Sequence, residues 1–228
     1  MNNLEIVSEN NRLFKSGKFS GMHSEFIPDF TPTEKPRQDR FVLAENTVKM
    51  TTVGCILENA EKKTLALNFA NALVPGGGYL LGANAQEESL CRSSGLYFTI
   101  KEVSGFYAQN RKHLLPDYTD GMIFSENVPV IRNDSGELLE QPVPCDFITC
   151  PAVNRREAFM MSKEKLRETM ERRIEKIVSF AVSKNRELTV LGAFGCGAFG
   201  NKREEILPMF ENAINRFGGG CEFIFAIP

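Results

Sequence analysis

Apolar residues recur at helical spacing in two long segments of the C-terminal half of the chain. One segment is SKEKLRETMERRIEKIVSFAVSK, and the other begins after residue 202. The two apolar stripes are Leu166, Met170, Ile174, Ile177, Val178 and Ala181, and then Ile206, Leu207, Phe210, Ala213, Ile214 and Phe217. This spacing predicts two amphipathic helices, each with one face turned toward a core.

Short runs of β-branched and aliphatic residues alternate with helical segments from about residue 41 onward. The runs FVLAENTVKM, KTLALNFA, MIFSENVPVIRN, CDFITC, ELTVLGAF and CEFIFA are typical of strands, with Pro129 interrupting one of them. Continuous apolar strands such as LTVLGAF indicate a sheet that helices cover on both faces. The pattern therefore predicts an α/β fold, whose ligands bind beyond the carboxyl ends of the strands.

Residues 1–40 have a different pattern, which is polar and interrupted. Apolar residues between positions 4 and 14 fit one short amphipathic helix. The following SGKFSG and IPDFTPTEKPRQ are rich in Pro, Ser and Gly, and they predict turns and a loop. We expect residues 1–40 to form an N-terminal extension that packs on the main domain, residues 41–228.

Composition and charge narrow the class of protein. Hydrophobic residues make up 42% of the 228 residues, so the chain can bury a full core without disulfides or a structural metal. Lys and Arg total 27 against 29 Asp and Glu. Because proteins that grip nucleic acid by its phosphates usually carry a basic excess, we expect no direct DNA binding.

The cysteines and histidines show no metal-site spacing. There are six cysteines with no C-x-x-C pair, and two histidines. The N-terminus lacks the apolar segment of a signal peptide, and no apolar run is long enough to span a membrane. We therefore expect reduced thiols, no metal site, no membrane association and a cytoplasmic location, with a nuclear location open for a eukaryotic source.

The first candidate for chemistry is the segment NFANALVPGGGYLLGANAQEESLCR, residues 68–92. Glycine backbone can approach a ligand closely and offer N–H groups to an anion. Glu87 and Glu88 follow at the start of a predicted helix, and a carboxyl that keeps its proton near pH 7 can act as a general acid. A nearby anion raises such a pKa and a helix N-terminus lowers it, so the balance stays open. The alternative is a loop followed by a solvated acidic helix start.

The second candidate is LGAFGCGAFGNKREE, residues 191–205, which contains G-x-G-x-x-G between a strand and a helix. The dinucleotide fold needs more sheet after this fingerprint than the chain provides after Gly200. Asn201 stands where a phosphate-binding P-loop would have lysine. What remains is a set of backbone N–H groups suited to a phosphate or diphosphate, with Phe194 and Phe199 able to offer a ring to a base or ribose. The alternative is a tight turn with core phenylalanines.

Cys196 lies inside this second glycine loop. Exposed backbone N–H groups could lower the pKa of its thiol. A cysteine nucleophile also needs a base, and His23 and His113 are the two histidines available. A catalytic cysteine is therefore disfavoured.

Together the two motifs resemble a known family. GGG, seven residues and then QEE match the signature of poly(ADP-ribose) glycohydrolases. PGGGYLLGANAQEESLCR and LGAFGCGAFGN resemble the microbial-type branch, over roughly residues 40–228. The resemblance implies a three-layer α/β/α macrodomain with a mixed central sheet. It also implies hydrolysis of ribose–ribose O-glycosidic bonds in poly(ADP-ribose), releasing ADP-ribose from chain ends, without metal or cofactor.

The same resemblance assigns roles by motif position. Glu88 would be the catalytic acid, Glu87 would hold ribose hydroxyls beside it, and Phe199 would pack against the distal ribose. Backbone N–H groups of the second loop would cradle the diphosphate. The other substrate-binding residues would be Asn71, Gly76, Gly77, Gly78, Gln86, Gly195, Cys196, Gly197 and Ala198.

Two other functions stay open at this stage. One is a non-catalytic ADP-ribose-binding macrodomain, which the adjacent Glu87 and Glu88 disfavour because a binding module needs no acid there. The other is a hydrolase of mono-ADP-ribose. The expected ligands are poly(ADP-ribose) or ADP-ribose, with ADP-ribosylated proteins as further partners.

Overall fold

Seven strands form one mixed sheet in the computed structural model, which describes residues 2–228. The strands are β1 (His23–Ile27), β2 (Thr47–Val48), β3 (Thr64–Phe69), β4 (Met122–Arg132), β5 (Leu138–Cys150), β6 (Leu188–Leu191) and β7 (Glu222–Ala226). Their order across the sheet is β1-β4-β5-β3-β6-β7-β2. β1, β4 and β5 pair antiparallel, whereas the pairs from β5 through β3, β6 and β7 to β2 are parallel.

Helices cover both faces of this sheet. They are α1 (Asn3–Lys15), α2 (Thr52–Glu58), α3 (Gln86–Ser93), α4 (Leu96–Ile100), α5 (Ser104–His113), α6 (Lys163–Ser183) and α7 (Arg203–Phe217). Leu65 and Leu67 of β3 face the core beneath α6 and α7, and Ala66 between them faces the core beneath α2, α3 and α5. The predicted three-layer α/β/α architecture with a mixed central sheet is confirmed.

The N-terminal region both packs on the sheet and extends it. The predicted short helix is α1, which is tied to β4 by Arg132, whose Nε donates to Asn10 Oδ1 at 3.0 Å. The loop over residues 28–40 is also as predicted. Strand β1, however, was not predicted, and it pairs with β4 at the edge of the sheet.

The segment FVLAENTVKM differs from its prediction. Only Thr47–Val48 form a strand, and a single tight helical turn, Leu43–Asn46, precedes them. The next residues form α2, which the sequence analysis missed. The Thr51 hydroxyl caps this helix by accepting from the Gly54 N–H at 2.9 Å, while Val53 and Ile56 bury its inner face.

Strand topology decides where the loops meet. β5, β3 and β6 are parallel neighbours, so their carboxyl ends lie side by side at one edge of the sheet. The glycine cluster follows β3 and the second glycine loop follows β6, as predicted. Among residues 2–228, no helix is long and apolar enough to cross a membrane.

Candidate active site

A cleft of about 630 Å³ opens where the loops after β3, β5 and β6 meet; we call it the central cleft. The predicted site residues that line it are Asn71, Gln86, Glu87, Glu88, Gly195, Gly197, Ala198 and Phe199. It is also lined by Phe69, Ala70, Ala85 and Ala152, which the sequence analysis did not single out. The two motifs therefore form opposite walls of one cavity.

Glu87 lies in the first turn of α3 and is 3% exposed. Its Oε2 accepts from the Asn71 N–H at 2.7 Å, and its Oε1 accepts from Asn68 Nδ2 at 3.2 Å. Burial raises the pKa of this carboxyl to about 8, against these hydrogen bonds, which lower it. For Glu87, burial therefore outweighs these hydrogen bonds, and the pKa of the carboxyl lies above neutral pH.

Replacing this carboxyl gives a pH-dependent change in stability. The folded state binds the Glu87 proton more tightly than the unfolded state, whose carboxyl has its ordinary pKa of 4.5. The wild-type protein therefore loses stability as pH rises from about 4.5 through about 8, with a limiting slope of ~1.4 kcal/mol per pH unit. Glu87→Gln removes this loss, so the variant should gain stability relative to wild type between pH 5 and pH 9. Urea unfolding across this range measures it, and a difference independent of pH would contradict it.

Glu88 is held by two backbone donors from the loop that precedes α3. Its Oε1 accepts from the Gly78 N–H at 2.9 Å, and its Oε2 accepts from the Ala85 N–H at 3.1 Å. The side chain is 8% exposed and reaches the central cleft. Fixed backbone donors on both oxygens give this carboxyl a defined orientation toward a ligand.

Gly77 lies against both carboxyl groups. A Cβ at this position would lie 2.6 Å from Glu88 Oε1 and 3.2 Å from Glu87 Oε2. The residue also has φ +55°, in the left-handed region that favours glycine. The two carboxyls can therefore lie together only because residue 77 has no side chain.

The glycine cluster does not form the expected free anion site. The Gly78 N–H donates to Glu88, and a hydrogen bond from the Gly76 backbone to Glu87 helps to lower the pKa of that carboxyl. Gly76 faces inward, because a Cβ there would lie 2.9 Å from the ring of Tyr97. The acceptors that this cluster binds are the chain's own carboxyl groups.

The second glycine loop leaves several of its N–H groups free, although the N–H of Cys196, which was predicted to help cradle the diphosphate, donates to Ala193 O at 3.0 Å. Asn201 holds the loop from below, since its Nδ2 donates to Val153 O at 2.8 Å and to Gly195 O at 3.2 Å. Within residues 2–228, the backbone N–H groups of Gly197, Ala198 and Phe199 donate to no other residue. A Cβ on Gly197 would meet nothing within 4 Å, so this glycine faces open space. The loop thus has the free, closely spaced N–H donors that an anion-binding element needs.

The other residues of this loop divide between core and cavity. Phe194 is fully buried in the core, so it offers no ring to a ligand, whereas half-buried Phe199 lines the central cleft. Cys196 faces a neighbouring cavity, and burial raises the pKa of its thiol to about 11. The expected lowering by backbone N–H groups is wrong, and the structure gives no support for a nucleophilic thiol.

The sequence analysis missed two polar residues behind the carboxyls, Asn68 and Thr149. Asn68 is fully buried at the end of β3, and its Nδ2 donates to Thr149 Oγ1 at 3.1 Å as well as to Glu87. An asparagine inside the otherwise apolar strand TLALNF was the available signal, since a buried amide must have partners.

The two predicted amide side chains differ in what they leave for a ligand. Both ends of the Gln86 amide are hydrogen-bonded within the protein. Its oxygen accepts from the Phe69 N–H at 2.9 Å, and its nitrogen donates to Leu67 O at 2.8 Å. Asn71 Oδ1 accepts from the Leu73 and Val74 N–H groups. Its Nδ2 donates to no residue within 2–228, so Asn71 retains amide hydrogens that face a ligand.

A second cavity, of about 1140 Å³, adjoins the central cleft. It shares Phe69, Ala85, Gln86 and Gly197 with that cleft and extends to the last residues of the chain. We call it the adjoining cavity. Together the two cavities form an elongated site that passes the second glycine loop, with room for a ligand that has a group on each side of an anion.

Comparison with known proteins decides the family. The family model described as the catalytic domain of microbial-type poly(ADP-ribose) glycohydrolase (PARG) matches residues 2–133, more than half of the chain. The chain belongs to the microbial-type PARG family. The matched part includes α1 and β1, which precede the region where the sequence resemblance begins, and it includes Glu87 and Glu88.

Solved PARG structures match over most of the chain. The enzyme from Thermomonospora curvata bound to the inhibitor ADP-HPD is 31% identical, covers 99% of this chain and 92% of its own, and has a TM-score of 0.78. The enzyme from Deinococcus radiodurans in complex with ADP-ribose is 37% identical, covers 79% of this chain and 76% of its own, and has a TM-score of 0.74. The comparison with curated proteins gave no match.

Proposed function

We propose that this PARG-family chain hydrolyses the ribose–ribose O-glycosidic bonds of poly(ADP-ribose) and releases ADP-ribose from chain ends. The observation that carries the proposal is the pair of buried carboxyls, Glu87 and Glu88, facing a loop of unused backbone N–H groups across one cleft. A module that only binds ADP-ribose would have no use for two desolvated carboxyls at this point. The solved relative from Deinococcus radiodurans is in complex with ADP-ribose, which supports the same ligand here.

The shape of the site suggests how the ligand lies. The diphosphate accepts from the N–H groups of Gly197, Ala198 and Phe199. The distal ribose enters the central cleft, beside Phe199 and the Nδ2 group of Asn71. The adenosine part then occupies the adjoining cavity on the other side of Gly197.

The chemistry follows from the two carboxyls. The bond between the anomeric carbon and the leaving ribose oxygen breaks through an oxocarbenium-like transition state, and Glu88 gives its proton to the departing oxygen. The resulting carboxylate removes a proton from water, whose oxygen bonds to the anomeric carbon, so Glu88 is protonated again. The negative diphosphate stabilises the positive charge that develops on the sugar.

Glu87 orients the sugar beside the acid. Burial raises the pKa of Glu87 to about 8, so this carboxyl retains a proton near neutral pH. The charge of a bound diphosphate favours the protonated form further. A neutral Glu87 can also donate a hydrogen bond to a ribose hydroxyl.

We further propose that no metal ion takes part. The charges that develop are met by the diphosphate and by fixed backbone donors. Within residues 2–228, no group of three His, Cys, Asp or Glu side chains could hold a metal ion.

Incubation with end-labelled poly(ADP-ribose), with and without excess EDTA, tests the proposal. We expect ADP-ribose as the early product, gradual shortening of the chains, and the same rate in EDTA. Early oligomers would contradict cleavage from chain ends, and activity lost in EDTA and restored by a metal would contradict the metal-free reaction. Binding of ADP-ribose without cleavage of any substrate would instead establish a binding module.

A further inference from the structure

A third cavity lies beside the central cleft; we call it the Tyr118 cavity. The lining residues that matter here are Leu73, Arg111, Leu114, Tyr118, Glu157 and Phe159. No step of the function proposed above uses it.

Two contacts join this cavity to the central cleft. The ring of Tyr118 lies 6.0 Å, centroid to centroid, from the ring of Phe199, which lines the cleft. On the other side, Leu73 donates its N–H to Oδ1 of Asn71, another residue of the cleft. A molecule that extends out of the central cleft past Phe199 or Asn71 would therefore enter the Tyr118 cavity.

Tyr118 is held in a conformation that tyrosine rarely adopts. Its φ is +53°, in the left-handed region, where a bulky side chain is strained. The fully buried Arg173 fixes this turn by donating to Asp117 O at 2.7 Å and to Tyr118 O at 3.2 Å. Such strain persists where the surroundings enforce it, and it concentrates at ligand-binding positions.

The chemistry of the walls matches a nucleotide. Phe159 is 84% exposed and Leu114 is 88% exposed, so both leave apolar surface at this cavity open to a ligand. Tyr118 and Phe159 present rings on which a base can stack, and Glu157 presents an acceptor for an exocyclic amino group. Arg111 donates to the carbonyl of Leu73 and so brings a full positive charge to the rim.

We propose that the Tyr118 cavity binds the next ADP-ribose unit of the polymer, the unit that leaves when the glycosidic bond breaks. The adenine stacks on Tyr118 and Phe159, and the diphosphate lies near Arg111. This cavity makes the enzyme prefer polymer over single ADP-ribose groups. The inference rests on the proposed function, because it assigns a place to the leaving part of the same substrate.

Two substrates separate the cavity from the central cleft. One is poly(ADP-ribose), and the other is ADP-ribose with a small aryl group on the anomeric carbon of its distal ribose, which lacks the next nucleotide. The variants are Phe159→Ser, Arg111→Gln and Tyr118→Asn, since asparagine tolerates the left-handed conformation while removing the ring. Each should lower kcat/KM for polymer about tenfold more than for the aryl substrate, mainly through KM. For the two variants that remove a ring, this lies within the range expected for losing one base stack.

Leu81→Ser is the matched control. Leu81 is 85% exposed, like Phe159, but it follows the glycine cluster instead of lining the Tyr118 cavity. We expect the ratio of the two substrates to be unchanged in this variant. Tyr118→Phe keeps the ring and should keep the wild-type ratio as well.

Each other outcome overturns the proposal in a distinct way. Equal losses on both substrates would make these residues supports of the central cleft. A changed ratio in Leu81→Ser alone would place the leaving unit near Leu81 instead of in the Tyr118 cavity. Losses of the same size on a mono-ADP-ribosylated peptide would assign the cavity to a protein segment. Wild-type protein that cleaves neither substrate would refute the proposed function itself.

Discussion

Glu88→Gln is expected to lower the single-turnover rate of poly(ADP-ribose) cleavage by roughly 10²–10⁴, the usual contribution of general acid–base catalysis. Glutamine keeps the volume of the side chain and one carbonyl acceptor, but it has no proton to transfer. The affinity for ADP-ribose should change little, because the N–H groups of the second glycine loop and Asn71 remain. Rapid-quench cleavage and calorimetric titration with ADP-ribose measure the two effects.

Glu87→Gln provides the comparison for this experiment. Glu87 contacts Asn71 and Asn68 and carries the raised pKa, so its loss should disturb ribose positioning and affect binding as well as rate. At each position one hydrogen-bond donor faces an amide nitrogen after the substitution, so melting temperatures must show that both variants fold. Near wild-type cleavage by Glu88→Gln would overturn the assignment of the acid.

Gly77→Ala should reduce turnover by a factor of 10² or more, although it removes no group that takes part in the reaction. The new Cβ would lie 2.6 Å from Glu88 Oε1, so the carboxyl or the loop must move. The left-handed φ of this residue adds strain to the steric conflict. Displacement of a catalytic group by about 1 Å can cost this much in rate. Steady-state kinetics with purified, folded protein is the measurement.

Gly197→Ala is the matched control on the opposite wall. A Cβ at position 197 meets nothing within 4 Å, and this glycine has no left-handed φ. We expect its melting temperature to equal that of wild type, whereas Gly77→Ala should melt lower. Gly197→Ala should instead weaken ADP-ribose binding, because the methyl group enters the space of the diphosphate. Equal melting temperatures and equal turnover for the two variants would refute the role given to Gly77.

The parts of the fold that the sequence predicts are those with a local cause. Helices α6 and α7 follow from apolar residues at helical spacing, and β3 and β6 follow from continuous apolar runs. β1 has only five residues, with a mixed burial pattern, and it becomes a strand because β4 offers it an unpaired edge. Helix α2 has only seven residues; Thr51 caps it locally, but the burial of its inner face comes from tertiary partners. Such elements depend on tertiary partners, which local patterns do not contain.

The candidate site also has some features that the sequence predicts and others that depend on the folded structure. The sequence predicts that both glycine loops lie at strand ends and that Glu87 and Glu88 begin a helix. It does not predict what each loop binds. Gly78 donates to a carboxyl group ten residues further along, whereas the N–H groups of Gly197, Ala198 and Phe199 make no hydrogen bond to the chain, in a loop that Asn201 holds at the Gly195 carbonyl. The direction in which an N–H group points is a property of the folded turn, and glycine allows many directions.

The central cleft makes its polar contacts largely through the main chain. Both oxygens of Glu88 accept from backbone N–H groups, and the diphosphate site proposed beside it uses backbone N–H groups as well. Main-chain donors survive the exchange of the side chains that carry them, provided that the few glycines with left-handed φ are kept. A site of this kind tolerates wide drift in the surrounding residues. Such a site is compatible with the architecture that this chain shares with the Thermomonospora curvata enzyme at 31% identity.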